Sequence, residues 1–217
     1  MYKKIFLSLL LLLSSGLLLG GSLLARADVL EPDVLIKNTV QDVLAIIKQD
    51  QEIKKGNQQK LLALVNDKVL PHFDFTHMTR LAVGKAWRTA TPEQQQALEG
   101  EFRQLLIRTY TKAFTVYNDQ QVEVRPLKKE NGATEATVRT LIRVPSGQPI
   151  PVDYDLKKTD NGWKAYDLVV EGVSMVTSYR STFADQIRQG GIDSLIKTLA
   201  EKNTAASNEP TKKAETK

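Results

Sequence analysis

The chain has 217 residues with a formal charge of +5, 25% charged residues, two histidines and no cysteine. The missing cysteine excludes disulfides, thiolate metal sites and thiol nucleophiles. Outside the C-terminal stretch no block of like charges forms the dense basic face that nucleic-acid binding requires.

Lys3 and Lys4, the apolar run from Ile5 to Leu19 and the small-x-small triplet Ala25-Arg26-Ala27 have the three parts of a secretory signal in order. Residues 1–27 are therefore expected to be removed before Asp28, with Lys3, Lys4 and Arg26, so the mature chain is less basic than +5 suggests. A lipid anchor would need cysteine at that junction, and Asp28 stands there. The reading is a mature protein free in solution, outside the cytoplasm, with a single domain over 28–202 and a disordered tail over 203–217. That tail is rich in Asn, Thr, Ala, Ser, Glu and Lys, without apolar periodicity.

The span 32–117 reads as helical. Pro32 suits a first helical turn, and Val40, Val43, Leu44 and Ile47 recur at helical spacing. Gly56-Asn57 punctuates the chain. Leu61, Leu62, Val65 and Val69 form a second stripe that Pro71 stops. Asp74 is placed to cap a short helix carrying Met78, Leu81 and Ala82, and 84–90 reads as a loop. Thr91 with Gln94 makes a capping box around Pro92, opening a long helix with Leu98, Phe102, Leu105, Leu106, Thr109, Ala113 and Phe114 on one face.

From residue 120 to 171 the period falls to two. Val122 and Val124 begin it. Ala136, Val138, Thr140, Ile142 and Val144 follow, then Ile150, Val152, Tyr154 and Leu156, and Tyr166, Leu168 and Val170 close the series. Asn131-Gly132, Ser146-Gly147 and Asp160-Asn161-Gly162 are hairpin turn residues, so the strands form a four-stranded antiparallel sheet with one apolar face. Helices over 173–201 return across it, one from about Ser174 to Arg188 and a short one after Gly190-Gly191. The fold class is α+β, a sheet covered by helices with an added helical part.

Little points to catalysis. His72 and His77 are five apart, the wrong spacing for one helical face, and no phosphate loop or nucleophile elbow occurs. An enzyme reading would use Tyr154, Tyr166 and Asp167 as buried acid groups toward a small apolar substrate. Against it, Asp167 is expected to face solvent, with both tyrosines as wall or core.

Three blocks go further: Val69 to Phe75 running on through Leu81-Ala82-Val83-Gly84-Lys85-Ala86-Trp87-Arg88 to Gln95; Glu101 to Leu106 with Tyr110; and Trp163 to Ser174 running into Tyr179, Arg180, Phe183 and Gly191-Ile192-Asp193. In this order and spacing the chain resembles the MlaC family, the toluene-tolerance auxiliary proteins of a phospholipid ABC transport system, over about residues 32–200.

The resemblance implies an NTF2-like core and a monomeric periplasmic protein that binds phospholipid and no other cofactor or metal. It also implies exchange of lipid with an inner-membrane ABC transporter complex and an outer-membrane lipoprotein–porin complex, maintaining outer-membrane asymmetry. On that footing the acyl chains are expected against Phe102, Leu106 and Tyr110 of the long helix, Val138, Ile142, Val152, Tyr154 and Leu168 of the sheet, and Val173, Val176, Tyr179 and Phe183 of the returning helix. A lipid-free adaptor of the transporter is the other non-enzymatic alternative.

Overall fold

A computed structural model describes residues 30–111, 120–127, 132–143 and 147–207. The signal segment, Ala113, Phe114 and Val144 lie outside the described residues. Among the described residues six α-helices run in chain order: α1 Pro32–Gln49, α2 Gln51–Lys54, α3 Gln58–Leu64, α4 Phe75–Val83, α5 Pro92–Thr111 and α6 Arg180–Ser207. Five strands lie between α5 and α6: β1 Gln121–Val124, β2 Glu135–Arg143, β3 Ile150–Thr159, β4 Gly162–Val170 and β5 Val173–Ser174.

Local chemistry sets the helix starts. Asp50 accepts from the backbone N–H groups of Glu52 and Ile53 at 2.8 and 3.1 Å. Asn57 takes the Lys60 N–H at 3.1 Å and Asp74 the His77 N–H at 2.8 Å. The expected capping box is present in full: Gln94 N–H donates to Thr91 Oγ1 at 3.2 Å, and Thr91 N–H to Gln94 Oε1 at 3.1 Å. Two junctions differ from expectation. Pro71 sits inside a 3-10 turn, Leu70–His72, reached through a π-helical turn at Val65–Val69, and Gly84–Arg88 is a second 3-10 turn rather than a loop.

The strands are antiparallel in the order β1-β2-β3-β4-β5. The expected meander of four is present, and Val173–Ser174 adds a short fifth strand on β4 where a helix was expected to begin. The hairpin between them turns through Glu171 and Gly172, both at positive φ (51° and 82°). Thr177–Tyr179 is a 3-10 turn, and α6 starts only at Arg180.

One deviation organises the sheet. Asp155 pairs with Asp167 while Leu156 pairs with Ala165, leaving Tyr166 as an extra residue in β4. Because side chains alternate along a strand, this bulge switches the phase of β4. Trp163 and Ala165 therefore share a face with Leu168 and Val170, and Asp167 lies on the other. The predicted face included Tyr166 and missed Trp163 and Ala165.

The core has three parts. Leu35 and Ile36 of α1 pack with Val138, Leu156, Trp163 and Ala165 on the apolar face of the sheet. Met78, Val83, Leu98, Phe102, Leu106, Phe183, Leu195 and Leu199 join α4, α5 and α6. Val43, Ile47, Ile53, Leu61 and Leu64 hold α1 to α2 and α3. Phe73 packs against both of the larger clusters, and the adjacent Asp74 N–H donates to the Ala165 carbonyl at 2.8 Å, tying the start of α4 to the β4 edge.

As expected, Gly190-Gly191 ends one helix, and α6 is two helices joined at a kink there. Gly191 has φ 78° and ψ −179°, a backbone region open essentially to glycine alone, and the helix resumes beyond it to Ser207. Asn203, placed in a disordered tail by its composition, is buried: it donates to the Glu101 carboxylate at 2.6 Å and accepts from Arg108 at 2.9 Å. Residues 208–217 lie outside the described residues.

The bend gives a direct test. No atom lies within 4 Å of a methyl built on Gly191 or on Gly100 in α5, so steric crowding is equal. Gly191→Ala is expected to lose about 1–3 kcal/mol in urea unfolding through backbone strain. Gly100→Ala is expected to gain about 0.4–1 kcal/mol. Equal stabilities would remove the strain from Gly191.

Candidate functional site

The apolar face of the sheet is a ladder of cross-strand rows. Ala136, Leu156 and Ala165 form the first, Val138, Tyr154 and Leu168 the second. Val124, Thr140, Val152 and Val170 make the third, and Val122, Ile142 and Ile150 the fourth. Burial grades along this ladder. Leu156 and Ala165 are closed over by the α1 cluster, whereas Leu168, Val170, Val122, Ile142 and Ile150 are all only half-buried. Thr140 does not interrupt the apolar surface, because its hydroxyl donates to the Val152 carbonyl at 2.7 Å within the sheet.

Tyr154 marks where the packed end gives way. Burial pushes its phenol up to about 12, so the side chain lies deep among protein atoms. Its surface is nevertheless only half covered. Val138, its neighbour toward β2, is fully buried, and Leu168, toward β4, is half-buried. Exposure therefore rises from Val138 toward Leu168 and the outer rows.

The expected lining residues divide accordingly. Val138, Ile142, Val152, Tyr154 and Leu168 share the sheet face. Phe102, Leu106, Val176 and Phe183 belong instead to the α4–α5–α6 cluster, with Tyr110 and Tyr179 packed against it. Phe102 sits edge-on to Tyr179 and Phe183, with ring centroids at 5.2 and 5.3 Å, and is fully buried. Such contacts are the stabilising core of a helical layer. Val173 stands apart from both groups, 55% exposed on β5.

The polar groups considered for catalysis are separated. Tyr154 pairs with Leu168, so it and Asp167 project from opposite faces of the sheet. Asp167 does not face solvent: only 5% of its surface is exposed. Burial raises its pKa, opposed by hydrogen bonds from the Ser174 hydroxyl and the Val176 N–H. This carboxylate clamps the turn from β5 into α6. Burial and a hydrogen bond with Tyr179 hold the Tyr110 phenol above its ordinary range. Tyr166, the bulge residue, stacks on His77 at 4.3 Å. Among the described residues, no group of three or more His, Cys, Asp or Glu is placed to hold a metal.

Comparison with known proteins identifies the family. A family described as "MlaC protein" matches residues 37–201. The toluene tolerance protein Ttg2D of Pseudomonas putida is 28% identical over 188 residues, covering 83% of this chain and 87% of its own. The intermembrane phospholipid transport system binding protein MlaC of Haemophilus influenzae is 25% identical over 183 residues, covering 82% and 86%. A phospholipid-binding protein from Ralstonia solanacearum, solved in complex with a phospholipid, superposes with a TM-score of 0.76 at 37% identity. That match covers 82% of this chain and all of the other.

The graded face predicts two different outcomes for one kind of substitution. Ile142→Glu places a carboxylate on a half-buried position and is expected to keep a cooperative thermal transition. Val176 is fully buried beside the Asp167 carboxylate, so Val176→Glu buries a second charge there and is expected to abolish cooperative unfolding. Loss of the transition in both would show that the sheet face is ordinary closed core.

Proposed function

This chain belongs to the MlaC family, and on that footing we propose that it is a periplasmic phospholipid carrier. It would take lipid between an inner-membrane ABC transporter complex and an outer-membrane lipoprotein–porin complex, serving outer-membrane lipid asymmetry. The observation that carries the reading is the phospholipid-bound Ralstonia relative, similar over its whole length. The half-buried rows of the sheet supply the matching physical feature.

Two acyl chains of ordinary length hold roughly 30 methylenes, and at about 0.8 kcal/mol each they resist water by more than about 20 kcal/mol. A carrier removes that barrier only if it offers apolar surface that its own side chains have not already consumed. Leu168, Val170, Val122, Ile142 and Ile150 meet that condition, with Tyr154 at the inner limit. Phe102, Leu106, Val176 and Phe183 act mainly from behind, as the packed helical layer. Aliphatic walls impose little directional geometry, so selectivity for chain length is weak. The headgroup remains near solvent, where its hydration is retained.

The test is mass spectrometry of an organic extract of the purified, folded protein. Diacyl phospholipid is expected at a stoichiometric level, and Ile142→Glu is expected to reduce it several-fold while folding persists. A folded wild-type protein with no extractable lipid would favour a lipid-free adaptor and overturn the carrier reading.

A further inference from the structure

The other face of the sheet carries charge, most of it internally matched. Arg143 pairs with Glu123 at 2.7 Å, and Arg139 lies 3.8 Å from Asp153. Lys157 differs: no described carboxylate lies within ion-pair distance of it, and the same holds for Arg80 on α4. These two cations line one cleft of about 220 Å³ together with His77, Asp74, Thr76, Thr159 and Trp87.

Several polar groups of the cleft are already engaged. Thr76 donates to Glu99 at 2.7 Å, Thr159 donates to the Gly162 carbonyl at 2.7 Å, and Asp74 accepts the His77 N–H. What remains is a guanidinium, an ammonium, the second oxygen of the Asp74 carboxylate and an imidazole that stacks on Tyr166. Burial pushes the His77 pKa down first, then Arg80; Lys157 acts in the same direction, against Asp74 and Glu135. Both cations line the same cleft as the ring. Glu135 stands across the strand pair from Lys157, but within the cleft two cations face one lining carboxylate, Asp74, and this excess of positive charge favours an oxyanion beside Arg80 and Lys157. A guanidinium offers two parallel donors to adjacent oxygens and an ammonium a point charge, the pairing suited to phosphate.

The cleft is distinct from the acyl surface. Lys157 projects from the face opposite Leu156, and from Ile150 to Lys157 the strand advances roughly 20 Å. We propose that this cleft binds a phosphate group, either as the free ion or as a phosphodiester headgroup presented from outside, independently of the lipid on the sheet face.

The experiment is an NMR titration of histidine-labelled protein with inorganic phosphate and, separately, with glycerophosphoglycerol as a soluble phosphodiester. Sodium chloride at matched ionic strength is the control. A saturable shift of the His77 ring signals is expected, with an upward shift of its pKa, because a bound anion favours the protonated ring. Arg80→Gln and Lys157→Gln are each expected to weaken binding about tenfold, the loss of one charge-assisted hydrogen bond. Extractable phospholipid should be unchanged in both variants, separating this site from the carrier function. A response to phosphate alone assigns the free ion, and a response to the phosphodiester assigns the headgroup. No response beyond chloride, or equal affinity in folded Lys157→Gln protein, overturns the proposal.

Discussion

Everything distinctive about the sheet depends on one extra residue. Tyr166 interrupts the pairing of β4 with β3, and from that point the two halves of β4 are out of phase. Without the interruption, Trp163, Ala165 and Asp167 would share a face, and a carboxylate would project into the apolar ladder. With it, Trp163 and Ala165 pack under α1, Leu168 and Val170 extend the ladder, and Asp167 passes to the other side to hold the turn into α6. The bulge also places the Tyr166 ring against His77, so a single irregularity shapes both the apolar face and the polar cleft behind it.

The division of labour among the apolar residues follows from what each has to pack against. α5 and α6 bury Phe102, Leu98, Leu195 and Leu199 against one another, and their interior is well filled. Such a layer can be rigid because its interior contacts are satisfied within it. The sheet is asymmetric: α1 covers one end of its apolar face, and the other end keeps half-buried aliphatic side chains. On the proposed reading, a ligand made of hydrocarbon would complete the second end without disturbing the first. The buried polar groups near this region, Thr140 and Asp167, have internal partners.

Much of this was legible in the sequence. The α+β class, the meander with its apolar face, and the caps at Asp74 and Thr91 follow from period and turn chemistry, and the structure has them. The site was legible only in part. Period two identified Val138, Ile142, Val152, Tyr154 and Leu168 correctly as neighbours on one face, but a bulge has no sequence marker here, and it moved Tyr166 out and Trp163 in. Helical spacing could not distinguish Phe102 or Val176 as filled core from pocket wall, because both environments select the same side chains. Val173 lies on a strand rather than on the expected helix, because a positive-φ turn at Glu171-Gly172 folds it back as an edge strand before any helix can start. At Asn203, polar composition suggested a tail, whereas the side chain is consumed by Glu101 and Arg108.

The central claim, that hydrocarbon lies on the outer rows of the sheet, is most directly tested with a phospholipid carrying a nitroxide on one acyl chain, bound to methyl-labelled protein. The account predicts strong relaxation broadening of Ile142, Ile150, Leu168 and Val170 methyl signals, with Leu195 and Leu199 little affected. Broadening concentrated at Leu195, Leu199 and Leu98, with the sheet methyls sharp, would place the lipid among the helices and contradict it.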